Sequence, residues 1–298
     1  MYQIITDGSC DLGLEITEAE GLKVVPFYVS TDGETYQKEI EELGIREFYQ
    51  FMVDHPKVFP KTSLPSVDDY MKVFEPLLAE GKDIICICIT TKFSGSYNSA
   101  TNAKEILLET YPNARIEVID ATVNTVLQGQ LVLEAAKMQK AGYSFEQIIE
   151  GVNRIKSSGR IFFTIGNMDY LVHGGRVGKL TGLAASKLGI RPLIVLKEGE
   201  IFPSGIARGR NKSKEKVIAQ FLEHLKEEGY HPDDCSIAVG YGYDFEEAKE
   251  FRSQAMEELR KVYPDMKEEL QLFQIGATIG VHTGPHPIGF GVIRRFDK

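Results

Sequence analysis

Apolar positions in residues 1–125 alternate between two periods. YQIIT (2–6) is a short apolar run that closes on Asp-Gly, a turn signal. LKVVPFYV (22–29) is β-branched and aromatic, with Pro26 marking an edge strand or a bulge. REFYQFMV (46–53) and VDDYMKVFEPLLAEG (67–81) carry helical spacing, the second with Ser66 as N-cap and Gly81 as its stop. IICICIT (84–90) is an unbroken apolar strand, the pattern of a sheet covered on both faces. NSATNAKEILLETY (98–111) reads as a helix and ARIEVID (114–120) as the next strand. Such alternation predicts an α/β unit, a parallel sheet with helices on both sides in a three-layer α/β/α arrangement. Ligand sites in such sheets gather at the carboxyl ends of the strands. Asp7, Ser94 and Asp120 all lie just past predicted strands.

Two consecutive helices follow, at 123–142 and 144–159, each closed by glycine, and they are expected to lead out of the first domain. The rhythm then changes. IFFTIG (161–166), RPLIVLKEGEIFPSG (191–205), CSIAVGYG (235–242), ELQLFQIG (269–276) and IGFGVIRRF (288–296) read as strands, with KEGE (197–200) as a hairpin turn. Amphipathic helices are predicted at 212–229 and 245–263. This half is expected to be α+β with a mixed sheet. The division falls near residue 160, giving an N-terminal domain of residues 1–159, with a small insertion at 27–60, and a C-terminal domain of residues 160–298.

At 298 residues the chain is long enough for two domains and a large core. Its hydrophobic content of 43% and charged content of 26% are ordinary for a globular protein. No run of about 18 apolar residues is present, so stable membrane insertion is not expected. The N-terminus opens directly into a strand without a basic or apolar leader, and the expected location is the cytoplasm. Four scattered cysteines show no metal-ligand spacing; Cys86 and Cys88 would share one face of their strand as small buried hydrophobes. A net charge of −9 disfavours nucleic acid as a partner. Residues 207–216 run against that trend, with Arg208, Arg210, Lys212, Lys214 and Lys216 against Glu215 alone. This stretch is either a solvated helix start or a docking patch for an acidic partner.

Three glycine- or proline-marked strand exits supply the candidate chemistry: Thr62 in KTSLPS (61–66), Ser94 in ITTKFSGSYNSA (89–100) and His282 in IGVHTGP (279–285). No nucleophile elbow, metal set or phosphate loop accompanies them. Each hydroxyl offers one donor and two acceptor lone pairs, and two of them can satisfy a carboxyl group. Gly95 allows close backbone approach, and a helix starting near Ser96 would aim its positive end at the same spot. Taken singly, the hydroxyls also suit turns or caps, and the histidine a structural role. Together they suggest a site that holds a small acid rather than transforms it.

These segments resemble the DegV family of bacterial lipid-binding proteins, whose better understood members are the fatty-acid-binding subunits of fatty acid kinase. The resemblance runs through TDGSCDL (6–12), KTSLPS, ITTKFSGSYNSA, VIDATVNT (118–125), YLVHGGRVG (170–178), LGIRPLIVLKEGEI (188–201) and IGVHTGPHPIGFG (279–291), in the family's order. It implies two domains with a ligand tunnel between them. Thr62 and Ser94 match the carboxyl-binding pair, with Gly95 and His282 beside them. Arg176, Asp7, Ser9 and Asp120 fall near the head group. Phe93, Phe162, Phe163, Met168, Leu171, Leu183, Leu188 and Ile190 are the wall candidates, and each serves equally well as plain core. Departures are Gly8, Lys92, Val123, Asn124, Arg191 and His286.

What the resemblance implies is a carrier without cofactor or metal, not an enzyme. It would hold a long-chain fatty acid and present its carboxyl to a separate ATP-dependent kinase, for acyl phosphate formation and phospholipid synthesis. Arg208 and Arg210 are then the docking candidates. Burying about 14 to 18 carbons at ~0.8 kcal/mol per methylene gives on the order of 10 kcal/mol gross. Two rivals remain at this stage. One is a Ser94 hydrolase with His282 as base and Asp7 or Asp120 as orienter. The other is a lipid sensor or binder of another apolar acid, using the same anchor.

Overall fold

The computed structural model describes residues 1–183 and 189–298. Strands β1 (Tyr2–Asp7), β2 (Lys23–Val25), β6 (Asp83–Cys88) and β7 (Ile116–Asp120) form a wholly parallel sheet in the order β2-β1-β6-β7. A small antiparallel sheet, β4-β3-β5, joins β3 (Tyr28–Ser30), β4 (Gln37–Lys38) and β5 (Lys61–Ser63). The third sheet is mixed and six-stranded, in the order β10-β9-β8-β13-β11-β12. Its strands are β8 (Arg160–Thr164), β9 (Ile190–Lys197), β10 (Glu200–Arg208), β11 (Cys235–Tyr241), β12 (Gln271–Gln274) and β13 (Ile288–Arg294). Only the β11–β12 pair in it is parallel. The molecule is thus α/β, a parallel sheet followed in sequence by a mixed one.

Pro26 explains why 22–29 is not one strand. It has no N–H for the ladder, and the chain breaks there between β2 and β3, which join different sheets. The KEGE turn connects β9 to β10 as a hairpin, with Glu198 and Gly199 both at positive φ.

One face of the parallel sheet is covered by α3 (Val67–Ala79) and α4 (Ser96–Thr110), which set Tyr70, Phe74, Ala103 and Leu107 against Ile5, Ile84 and Cys86. Cys86 and Cys88 are buried and free, as expected of small hydrophobes. Ser66 begins α3 through a reciprocal capping box with Asp69. The short α1 (Gly13–Ala19) links β1 to β2. The other face is covered by α5 (Thr125–Lys140) and α6 (Phe145–Lys156).

Helix α5 does not lead away from the first sheet. Leu127, Leu131, Val132 and Ala135 are fully buried, and one continuous core runs from Ile85 and Ile119 through α5 to Ile161, Leu196 and Ala238 of the mixed sheet. Gln128 and Glu134 of the same helix are buried as well, satisfied by hydrogen bonds to Thr6, Asp7 and Ser236, and α5 is the layer shared by both sheets. Gly129 makes this possible, since a Cβ there would come within 2.4 Å of the Cys10 carbonyl.

The far face of the mixed sheet packs on α8 (Arg210–Glu227) and α9 (Phe245–Val262), around Phe221, Phe251 and Phe290. The small sheet carries α2 (Ile45–Asp54), whose Phe48, Tyr49 and Met52 meet Tyr170 of α7 (Asp169–His173) and Ala277 and Val281 of α10 (Ala277–Thr283).

Candidate functional site

A cavity of about 220 Å³ lies where the three sheets converge. Thr62 enters it from β5, Phe93 and Ser94 from the loop between β6 and α4, Phe163 from β8, and Thr278, Ile279 and His282 from α10. A deeper compartment of about 50 Å³ shares Asn124, Phe163, Ile201, Ile279 and Thr283 with it. Beyond those, the deeper wall is mostly apolar, with Val126, Ile161, Leu196 and Ile288. The combined space is a polar-ended, apolar-walled slot.

At the polar end, Thr62 Oγ1 stands 3.3 Å from His282 Nε2. The other ring nitrogen, Nδ1, is buried and has no hydrogen-bond partner among the described residues. Burial and the nearby Arg176 charge depress the His282 pKa to about 4, so the ring is neutral near pH 7. The neutral ring carries one N–H; in the tautomer with Nε2 protonated it donates to Thr62, and the threonine hydroxyl keeps its own proton for a ligand oxygen.

Ser94 occupies the start of α4. Its Oγ accepts from Ser96 N at 3.2 Å, and Gly95 is the N-cap residue. The positive end of a 15-residue helix therefore faces this corner of the cavity. Gly95 itself does not line the cavity; it packs on Leu64, which does. Arg176 is exposed at the mouth and donates to the carbonyls of Phe93 (3.2 Å) and Gly174 (2.8 Å). It braces the Ser94 loop against the HGG turn and keeps further N–H donors for an anion.

Asp7, Ser9 and Asp120 lie behind the site rather than in it. Asp7 is fully buried and accepts from Ile89 N (2.9 Å), Ser96 Oγ (2.8 Å), Ser9 Oγ (2.8 Å) and Gln128 Nε2 (2.8 Å). Burial raises its pKa against the pull of those bonds. Its work is to tie the ends of β1 and β6 to the first turn of α4. Asp120 accepts from Thr91 Oγ1 (2.7 Å) and Thr122 N (2.8 Å), which fixes the loop that bears Phe93 and Ser94. The expectation that these three sit near a head group is corrected accordingly: they position the loop and do not border the cavity.

The wall expectations divide in the same way. Phe93, Phe163 and Leu171 line the cavity. Phe162 alternates to the opposite face of β8 and packs 5.2 Å from the His224 ring. Met168 belongs to the core behind the wall, and Ile190 sits half-buried at the start of β9. Leu188 lies outside the described residues, as does the side chain of Leu183. Lys92 and His286 are both exposed and off the cavity.

His282 was expected at a strand exit and is in α10. Sequence reasoning consequently missed Thr278 and Ile279, which share its helix face at i−4 and i−3. It also missed Phe27, Leu64, Asn124 and Ile201. The apolar spacing of ATIGVHT was the available signal, obscured by its glycine and by the short length.

Arg210 is not free for a partner. Its guanidinium holds Glu247 at 2.8 and 2.6 Å and the His286 carbonyl at 2.9 Å. Lys214, nearly buried, reaches the same Glu247 at 3.2 Å. Of the two expected docking arginines, Arg208 is the exposed one.

A Ser–His–carboxylate relay is not assembled. The partner of His282 Nε2 is Thr62, Nδ1 has none, and Asp7 and Asp120 are committed elsewhere.

Comparison with known proteins gives consistent relatives. A family model described as uncharacterised protein, DegV family, matches residues 1–295. A DegV domain-containing protein of Clostridium perfringens is 32% identical, over 97% of each chain. A solved stearic acid-binding protein from Eubacterium ventriosum is 45% identical, with a TM-score of 0.91 over 100% of this chain and 99% of that one. A DegV family protein from Thermus thermophilus, solved for its fatty acid binding, is 26% identical with a TM-score of 0.85, over 98% of this chain and 99% of that one.

Proposed function

The chain belongs to the DegV family, and on that premise we propose that it is a carrier for a long-chain fatty acid. The carboxyl group sits among Thr62, Ser94 and His282, and the acyl chain runs along Phe93, Phe163 and Ile279 into the deeper compartment. The observation that carries this reading is the slot itself: an apolar wall ending at a half-buried hydroxyl–imidazole pair and a helix N-terminus. The fatty acid ligands of the similar structures support it.

The division of labour follows from the chemistry of the two ends. Each buried methylene contributes about 0.8 kcal/mol, and part of that gain is offset by ordering the chain. The polar end fixes direction. Exposed Ser63, Leu64 and Arg176 put the carboxyl end close to solvent, where another protein can reach it. The chain has no GxxxxGK[ST] loop of its own. On this reading the partner is a separate cytoplasmic ATP-dependent kinase that converts the presented carboxylate to an acyl phosphate, feeding phospholipid synthesis.

The test is mass spectrometry of lipid extracted from the purified protein, beside a Thr62→Ala/Ser94→Ala variant. A stoichiometric long-chain acid in the wild type, depleted in the variant, is expected. Equal occupancy in both would remove the anchor assignment, and no acid in either would remove the carrier reading.

A further inference from the structure

Past the anchor, the slot carries one half-buried polar side chain that makes no hydrogen bond among the described residues. Asn124 borders both compartments. It is the N-cap residue of α5, yet its side chain makes no capping bond, and no other hydrogen bond to it occurs among the described residues. The remaining polar side chains of the deeper wall are committed. Thr125 Oγ1 donates to Asp11 Oδ2 at 2.5 Å, and Thr283 Oγ1 to the Ile279 carbonyl at 3.0 Å. Around Asn124 the shared wall is Phe163, Ile201 and Ile279.

A plain alkyl chain drawn along this wall strips water from the amide and returns no hydrogen bond. That penalty falls on every unsubstituted acid. A hydroxyl partway along the chain removes it, because an alcohol is donor and acceptor at once, as the amide is. A site built to hydrogen-bond a ligand hydroxyl rejects the analogue that lacks it far more strongly than an apolar pocket rejects an extra methylene. We infer that the slot selects a long-chain acid oxygenated in mid-chain, with Asn124 as the residue that bonds the oxygen. This deepens the fatty-acid reading and rests on it.

The experiment compares octadecanoic acid with a panel of octadecanoic acids bearing a single hydroxyl at successive mid-chain carbons. Binding is measured by calorimetry to lipid-stripped wild type, Asn124→Leu and Asn124→Ala. The wild type is expected to bind at least one hydroxylated isomer about tenfold more tightly than the parent acid, a difference of about 1.4 kcal/mol. Asn124→Leu should reverse the order, and Asn124→Ala should abolish the difference if leucine overfills the slot. A wild type that binds the parent acid at least as tightly as every isomer overturns the inference, as does a preference unchanged in both variants. A wild type that binds neither kind of acid overturns the fatty-acid reading beneath it.

Discussion

Thr62 and His282 stand 220 positions apart in the chain and 3.3 Å apart in space. One is on an edge strand of the small sheet, the other on α10. The contact joins two segments far apart in sequence at the polar end of the cavity. Among the described residues it is the only hydrogen bond the ring makes, since Nδ1 has no partner there.

The histidine gives the ligand-free protein an acid-side weakness. Its folded pKa of about 4 lies below the usual 6.5, so the unfolded chain binds the proton first as pH falls. The corresponding stability is complete above about pH 6.5 and is lost towards pH 4, amounting to roughly 3 kcal/mol. Urea midpoints across that window should fall less steeply in His282→Asn than in the wild type. Bound carboxylate should raise the His282 pKa and shrink the wild-type slope. Superimposable slopes in wild type and variant would show that the ring is not buried neutral.

Glu39 acts in the opposite sense. It accepts from Thr278 N (3.1 Å) and Thr278 Oγ1 (2.5 Å) at the first turn of α10, and only a glycine fits at 276, where a Cβ would fall 2.5 Å or less from Glu39 Oε1 and from Asp11 Oδ1. Burial, with smaller pressure from Asp7, raises its pKa from 4.5 to about 7. Its stabilisation is therefore full below about pH 4.5 and fades as pH rises through 7, by roughly 3 kcal/mol. Glu39→Gln should remove this decline, read as a flatter melting-temperature profile between those limits. A profile that still parallels the wild type would count against a protonated Glu39.

Gly174 is where the HGG motif meets the site. A Cβ there would lie 2.2 Å from His282 Nδ1 and 3.0 Å from the Tyr170 carbonyl. Gly174→Ala is expected to push the imidazole off Thr62 and weaken fatty-acid binding about tenfold, with a stability cost of about 1 to 3 kcal/mol. Fluorescent fatty-acid titration beside thermal melting separates the two effects. Unchanged affinity would mean the ring has room to move without losing its partner.

Arg208 and Arg210 should part company under mutation. Arg210 and Lys214 hold the Glu247 pKa down to about 2, and removing Arg210 leaves a half-buried carboxylate short of its main partner. Arg210→Ala is expected to cost about 3 kcal/mol of stability. Arg208→Ala should leave melting unchanged and lower acyl phosphate formation with a matching kinase. Equal turnover in Arg208→Ala and wild type would place the docking surface elsewhere.

The parallel sheet, the hairpin at Glu198-Gly199 and the capped α3 were legible because each is set by local chemistry: apolar runs, a turn residue at positive φ, a capping box. The polar anchor was legible only as a set of motifs. What escaped was decided by tertiary contact. Nothing in residues 123–142 announces that α5 serves two sheets at once, and a basic run cannot reveal that Arg210 faces Glu247 from another helix. The strand alternation that separates Phe162 from Phe163 was readable in principle, but which face held the cavity was not. Asp7 and Asp120 sat where a ligand group would sit, and the structure uses both to hold the loop instead.

The slot's walls come from β5, the loop after β6, the N-terminus of α5, β8, β10 and α10, so few of its contacts are local in sequence. A molecule lying along it would add contacts among segments that α5 already joins in one core. At a free ligand concentration a hundredfold above Kd, its binding adds about 2.7 kcal/mol to the resistance to unfolding. On the proposed carrier reading, lipid supply sets the protein's lifetime: filled copies are expected to outlast empty ones under proteolysis.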